Sequence, residues 1–345
     1  MIYIGDQRVG SRFCFAPVNT GFCRNGEPEE RLVKFHRERS GPEIAISYVG
    51  NVAISPEHRT NDATGYMDHD LSKWRRLSAA IDDNESLPGI QIACRAAPDK
   101  APRKWRNDRR TFVESARQAL TSMPEATLDE LWNKFIRAAE KASEAGFKII
   151  QIHAAHGYLL SQLMNRLINV RRDQFGGGIN ALERMIQDLR NHLPDTILDI
   201  RVNLFDGLEE PNEELSYRIE QIGRLIDAGC NMISLSSGIY DIDKFAIYPE
   251  ASAGNSVYVE YARKIALLFE RTKINVAGNI RDVVSLKDTE PLNLMFSIGR
   301  PLIADPGFIK NALTGKNSTE CIWSGHCHYY SRMRPHIECK VNKAI

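Results

Sequence analysis

Short runs of β-branched and other apolar residues alternate along this chain with longer stretches in which apolar positions recur every three or four residues. The runs predict strands at Arg12–Ala16, Glu43–Tyr48, Gly89–Cys94, Lys148–His153, Ile197–Asn203, Met232–Ser236, Ile274–Ala277 and Leu294–Ile298. The longer pattern predicts helices over Glu29–Ser40, Leu71–Asp82, Thr127–Ala145, Asn180–Asn191, Asn212–Ala228 and Val257–Thr272, a short one after Arg281, and another over Pro306–Leu313. The third helix is the clearest: Leu128, Leu131, Phe135, Ala138 and Ala142 share a face, Thr127 with Glu130 predicts a capping box, and Gly146 predicts a stop. Gly229 ends the fifth helix in the same way.

Eight strand–helix units with no hairpin signal between successive strands predict an α/β protein, a (β/α)8 TIM barrel over residues 1–315. Residues 316–345 are predicted to form a tail rich in Cys and His. A doubly wound sheet is the competing architecture, but it calls for G-x-G-x-x-G directly after a strand. The run Gly176-Gly177-Gly178 instead follows a predicted loop.

Composition narrows the function classes. Lys plus Arg is 45 against 44 for Asp plus Glu, so no bulk charge recruits nucleic acid or an anionic membrane. No uninterrupted apolar segment is long enough to span a bilayer, and no leader pattern opens the sequence. Seven cysteines in a chain of this size read as free thiols, which fits a cytoplasmic protein. The expected partner is a small-molecule substrate, with a homo-oligomer also compatible.

Candidate chemistry gathers where strands end. The fourth closes on His153-Ala154-Ala155-His156-Gly157-Tyr158, two imidazoles and a phenol beside a flexible joint. One histidine alone reads best as structural; the three groups together read as a site. The fifth carries Arg201, a charge that needs an anionic partner if buried, either a carboxylate such as Asp199 or Asp206 or a bound anion. Gly278 follows the seventh strand and Gly299-Arg300 the eighth, where this fold commonly binds phosphate. The stretch Arg95–Pro124 holds Lys100, Arg103, Lys104, Arg106, Arg109 and Arg110 around Trp105, and reads first as a solvated basic loop or surface hairpin and second as a lid or an anchor for an acidic substrate or cofactor phosphate.

These residues carry a family resemblance. IHAAHGYLLSQ followed by Asn169-Val170-Arg171-Arg172-Asp173-Gln174-Phe175-Gly176-Gly177 resembles the Old Yellow Enzyme family of flavin-dependent oxidoreductases. FAPVNTG, IQIA, IRVN, NVAGNI and SIGRPLIADP extend the match through Asp305. The resemblance implies FMN at the barrel mouth and NADH or NADPH as electron donor. It implies cofactor contacts from Pro17, Val18, Asn19, Gly50, Gln91, Arg201, Gly278, Asn279, Gly299 and Arg300. Gln91 would meet the pyrimidine edge, Arg201 the region of N1 and O2, and the residues of strands seven and eight the phosphate. His153 and His156 would hold a substrate carbonyl while Tyr158 protonates the α-carbon of an activated alkene. Oxidation or desaturation by the same flavin, and flavin binding without turnover, are the alternatives. Asn19 stands where the family often has Thr or Cys, and of the Asn-Arg pair usual after the double glycine only Arg184 keeps its place.

The ends look nearer the larger branch containing 2,4-dienoyl-CoA reductase and trimethylamine dehydrogenase, whose tail cysteines hold an iron–sulfur cluster. Here Cys327 and Cys339 keep one interval of that pattern and Cys321 lies near, but Ser324 falls where a further cysteine is expected. Four thiolates are the usual requirement, so a cluster is not expected; zinc on three cysteines and a histidine is chemically feasible, and free thiols are the favoured reading.

Overall fold

The computed structural model describes residues 2–67, 70–95 and 108–345. Eight parallel strands close into a barrel: Phe13–Val18, Ile46–Ala53, Leu87–Ala93, Ile149–Ala154, Ile197–Asn203, Met232–Ser236, Lys273–Ala277 and Leu294–Ile298. Each pairs with its sequence neighbours, and the eighth returns to the first through Phe296↔Phe13. The TIM barrel predicted from the alternation is the observed fold. Strands buried on both faces need apolar residues outward against the helices, which explains why they read as continuous runs.

Two differences from expectation lie near the mouth or in the stretch after strand three. The second strand runs on to Ala53 because Gly50 and Asn51, which break its apolar pattern, are accommodated by an irregularity between Val49 and Val52. A helix, Arg109–Ser122, occupies much of the stretch read as a basic loop; it buries Phe112, Ala116 and Leu120, and Asp108 caps it. Lys100, Arg103, Lys104, Trp105 and Arg106 lie outside the described residues.

The long helix Glu125–Glu144 buries the predicted stripe and adds Trp132, Ile136 and Ala139 to it. It starts two residues before Thr127, after Pro124, with no side-chain cap, so the capping box does not form. Pro124, with its fixed φ, leads directly into the first turn and its carbonyl receives Thr127 N–H. Gly146 ends the helix as expected, at φ +89°, where Phe147 N–H reaches back to the Ala142 carbonyl.

Inside the barrel, side chains stack in layers. A hairpin of Ile2–Ile4 and Gln7–Val9 underlies the floor, packing Ile4 and Val9 with Ile46, Leu87, Ile149, Ile197 and Met295. Above lies a polar layer with one residue from each of strands two to eight: Tyr48, Gln91, Gln151, Asp199, Ser234, Asn275 and Ser297. The mouth is the layer above that. No helix among the described residues is long and apolar enough to cross a membrane.

Candidate active site

Strand register sets the mouth. His153 pairs with Arg201 and Arg201 with Ser234, so the imidazole of strand four and the guanidinium of strand five enter the barrel side by side. After Ala154 the chain turns through His156 at φ +62° and Gly157 at φ +81°. Asn203 Oδ1 accepts from His156 N–H at 3.3 Å, fixing that turn to strand five. The result brings together the three groups singled out in the sequence: the rings of His153 and His156 lie 5.0 Å apart edge to face, and those of His153 and Tyr158 4.5 Å apart. All three side chains are buried.

The protonation of the pair follows from its contacts. Ala155 N–H donates to His153 Nδ1 at 3.3 Å, so the ring proton of neutral His153 sits on Nε2. His156 Nε2 meets Ser236 Oγ at 2.7 Å, and Arg201 Nη2 donates to the same oxygen at 3.1 Å. Ser236 Oγ accepts from Arg201 and can pair with either tautomer of His156, as donor to Nε2 or as acceptor from Nε2–H. Burial, reinforced by the Arg201 charge, holds both imidazoles well below their ordinary pKa. In the neutral form each ring can donate an N–H to an oxygen without surrendering the proton.

Arg201 is buried without a carboxylate in contact among the described residues. Asp199 Oδ2 instead accepts from Tyr48, Gln151 and Ser234, and Asp206 takes Arg218, Asn165 and Asn203. Neither carboxylate contacts Arg201, although the Asp199 charge acts on it from the layer below, and Arg201 Nε has no partner among the described residues. A buried guanidinium with an orphaned N–H is the mark expected where an anionic ligand sits.

The strand ends sort unequally. Gly299 has no packing reason to be glycine: the nearest atom to an added Cβ is Ala16 Cβ at 3.9 Å, and its φ is −107°. That open space suits close approach of a ligand to backbone. Gly278 and Gly50 are glycine for internal reasons, since a Cβ would fall 2.5 Å from Tyr258 and 2.3 Å from Pro17 respectively. Pro17 and Val18 end strand one, partly exposed, beside that contact.

Two asparagines are already committed. Asn19 donates to Asn51 Oδ1 at 3.0 Å and Thr64 Oγ1 at 2.9 Å, while its oxygen accepts from Gly21 N–H and Tyr329 O–H. Asn279 donates to the Glu250 and Gly254 carbonyls and accepts from Trp323 Nε1–H at 2.8 Å and Arg300 Nη2–H at 3.3 Å. Both amides have their donors and acceptors filled by the chain, so they brace the mouth rather than offer free groups to it. Only their backbone N–H groups remain candidates for ligand contact.

The sequence missed most of what covers the mouth. Residues 321–337 cross it: Trp323 lies between Arg281 and Arg300, His328 packs on Tyr248 at 4.4 Å, and Tyr329 reaches Asn19 and Asn61. Tyr240 sets its ring edge to face against His156 and Tyr158, and its hydroxyl contacts that of Tyr248. Thr60 Oγ1 lies 3.4 Å from the Tyr158 hydroxyl. These residues sit on loops with no periodicity to announce them; the one available signal was the unusual aromatic content of Tyr240, Tyr248 and Tyr329-Tyr330. Cys321, Cys327 and Cys339 are free thiols, burial pushing Cys327 up to about 11. Among the described residues no group of three or more His, Cys, Asp or Glu side chains is placed to hold a metal ion.

Comparison with known proteins agrees with this geometry. The chain is 26% identical over 335 residues to an NADPH dehydrogenase of Bacillus subtilis (strain 168), covering 92% of this chain and 94% of that protein. It is 25% identical to a metal reductase of Desulforamulus reducens, where 98% of this chain matches 52% of the other, so it spans about half of that relative's length. Among solved structures, Old Yellow Enzyme from Pichia sp. AKU4542 superposes with a TM-score of 0.68 at 14% identity, over 93% of this chain and 87% of that one. A 2-naphthoyl-CoA reductase bound to 2-naphthoyl-CoA gives 0.82 at 19% identity, over 99% of this chain and 56% of that one. The model of the NADH:flavin oxidoreductase / NADH oxidase family matches residues 2–318. With the closed barrel, that match establishes the chain as a member of the NADH:flavin oxidoreductase / NADH oxidase family, the flavin-dependent enzymes to which Old Yellow Enzyme belongs.

Proposed function

We propose that this enzyme reduces activated carbon–carbon double bonds, using FMN at the barrel mouth and NADH or NADPH as electron source. The observation that carries the reading is the convergence of His153, His156 and Tyr158 beside an Arg201 whose Nε has no hydrogen-bond partner among the described residues. When bound, FMN supplies hydride transfer. Arg201 would hold the pyrimidine side of the isoalloxazine, where negative charge accumulates on reduction. Gln91 would contact the same edge, and the backbone at Gly278, Asn279 and Gly299 with the Arg300 guanidinium would hold the phosphate. Pro17, Val18 and Gly50 would line the flavin from strands one and two.

The chain's own groups account for the rest. The His153 and His156 rings would donate N–H to an oxygen that becomes more negative as hydride arrives at the β-carbon, which is where fixed dipoles accelerate most. Tyr158 carries a proton next to them and would deliver it to the α-carbon. The tail and the loop bearing Tyr240 exclude water from that encounter.

Purified protein should retain a yellow chromophore, lose its colour under anaerobic NADH or NADPH, and regain it on addition of an enone. A preparation that stays colourless after reconstitution with FMN would overturn the assignment. Bleaching by a saturated substrate alone would instead show that the enzyme works in the oxidative direction.

A further inference from the structure

The loop after strand two reaches Tyr158 through a run of side chains whose hydrogen-bond directions are set from one end. Gly21 N–H donates to Asn19 Oδ1 at 3.2 Å, and a backbone donor leaves no choice of which amide atom faces it. Asn19 Nδ2 therefore points the other way, to Asn51 Oδ1 at 3.0 Å and Thr64 Oγ1 at 2.9 Å. A flipped Asn51 would bring two amide nitrogens together. Asn51 thus keeps its oxygen toward Asn19 and donates through Nδ2 to Thr60 Oγ1 at 3.0 Å. Thr60 Oγ1 in turn lies 3.4 Å from the Tyr158 hydroxyl. The loop carrying Thr60 is well held: Thr64 N–H donates to the Asn61 carbonyl at 3.0 Å, and Ala53 N–H to the Gly65 carbonyl at 2.8 Å. From the tail, Tyr329 O–H donates to Asn19 Oδ1 at 2.8 Å and its oxygen accepts from Asn61 Nδ2 at 2.9 Å.

We propose that Thr60 is a positioning residue for the acid of the reaction: its hydroxyl, oriented by the Asn51 amide, donates to Tyr158 Oη once the phenol has given up its proton. Between neutral hydroxyls either can donate, and 3.4 Å is long for both arrangements. Proton delivery removes that symmetry. The Tyr158 O–H bond breaks, the proton and the enolate electron pair form the new C–H bond at the α-carbon, and the phenolate left behind can only accept. Water restores the proton before the next cycle. Catalytic hydrogen bonds are often long without substrate and tighten as charge develops, to about 2.5–2.7 Å for O–H on an anionic oxygen. Asn51 strengthens the contact, since a hydroxyl that already accepts a hydrogen bond is a better donor. Among the described residues, the titratable groups around the phenol are His153 and His156 on its own turn, Tyr240 and Tyr248 from the loop after strand six, and Tyr329 from the tail. Arg201 stands beside His153 on the next strand. Burial keeps both imidazoles neutral and lifts the three phenols above their ordinary range. The inference rests on Tyr158 as the proton donor, and the experiment separates the two.

The test is fluorine NMR of the protein, with FMN added, in which every tyrosine is replaced by fluorotyrosine. Ring fluorine makes the phenol more acidic and gives a signal that moves on ionisation; the signal missing from Tyr158→Phe belongs to Tyr158. Thr60→Val keeps the shape and deletes the hydroxyl, so the Tyr158 signal should titrate about one pH unit higher, the worth of one hydrogen bond to a charged oxygen. Thr60→Ser should restore the wild-type midpoint. Thermal melting establishes that each variant folds, and Thr60→Ala carries the same comparison should valine not be accommodated. Equal midpoints with and without the hydroxyl overturn the proposal, as does a wild-type signal that never ionises in the folded protein. In stopped flow, oxidation of the reduced holoenzyme by cyclohexenone should slow about three- to tenfold in Thr60→Val. In a Tyr158→Phe background the same substitution should cost nothing further; additive losses would make Thr60 merely structural and overturn the proposal. Should Tyr158→Phe itself react at the wild-type rate, the proton donor is misassigned, and the fluorine titration still decides whether Thr60 supports the phenolate.

Discussion

His36 provides a direct measure of the physics invoked for His153 and His156. It is fully buried among Phe15 and Phe35, Nδ1 meets Ser47 Oγ at 3.1 Å, and Nε2 has no partner among the described residues. Burial, with the nearby Arg39 charge, takes its pKa from 6.5 to about 3. Below pH 6.5 the unfolded chain therefore accepts a proton that the folded protein refuses, so stability falls as pH falls, down to about pH 3 where the folded form also protonates. Between about pH 7.5 and about pH 5.5 one such histidine removes about 1.4 kcal/mol, and His153 and His156 add losses of the same sign. Asp199 acts oppositely, since burial raises its pKa and proton uptake then favours the folded form. Comparing wild type with His36→Leu cancels that contribution. Urea unfolding at the two pH values should show the wild type losing about 1.4 kcal/mol more than the variant. Equal losses would refute the claim that these interiors keep imidazole neutral, and with it the assignment of the mouth pair as neutral donors.

Other outcomes follow from single contacts. Tyr158→Phe should slow alkene reduction by about 10²–10⁴-fold in stopped flow while leaving flavin reduction by NADH or NADPH unchanged. Ser236→Ala removes the shared partner of His156 and Arg201; it should cost about 1–3 kcal/mol in unfolding experiments and weaken retention of FMN on desalting. Gly50→Ala forces a Cβ within 2.3 Å of Pro17 and should lower stability by about 1–3 kcal/mol, read as a shifted melting temperature. Tyr329→Phe loses the hydroxyl bonds to Asn19 and Asn61, so limited proteolysis should cut the tail faster while the barrel stays intact.

The barrel was legible because the strand residues packed against the helices are apolar and the helices are amphipathic; the limits of Ile197–Asn203, Met232–Ser236 and Leu294–Ile298 match the expectation to the residue even though they carry Asp199, Arg201, Asn203, Ser234, Ser236 and Ser297. Where function enters, the signature weakens. The second strand was cut short at Tyr48 because Gly50 and Asn51 interrupt its hydrophobicity at the mouth. His153, His156 and Tyr158 stood out because such residues are poor packing material directly after an apolar strand. The amide commitments of Asn19 and Asn279 were invisible, since they depend on Tyr329 and Trp323, more than 40 positions away along the chain in the nearer case. The polar layer was hidden for another reason: Gln151 and Asp199 each sit within an apolar run, and only closure of the sheet brings them together.

The turn after strand four also limits what can stand at its apex. His156 adopts a left-handed backbone that His, Asn and Asp accept more readily than other side chains, while a β-branched residue there is strained. Asp brings an acceptor and a charge, so among hydrogen-bond donors the conformation admits chiefly His and Asn. Evolutionary drift at this position is thereby filtered by φ before any substrate is tested, and the exchange to watch for in related chains is imidazole for carboxamide.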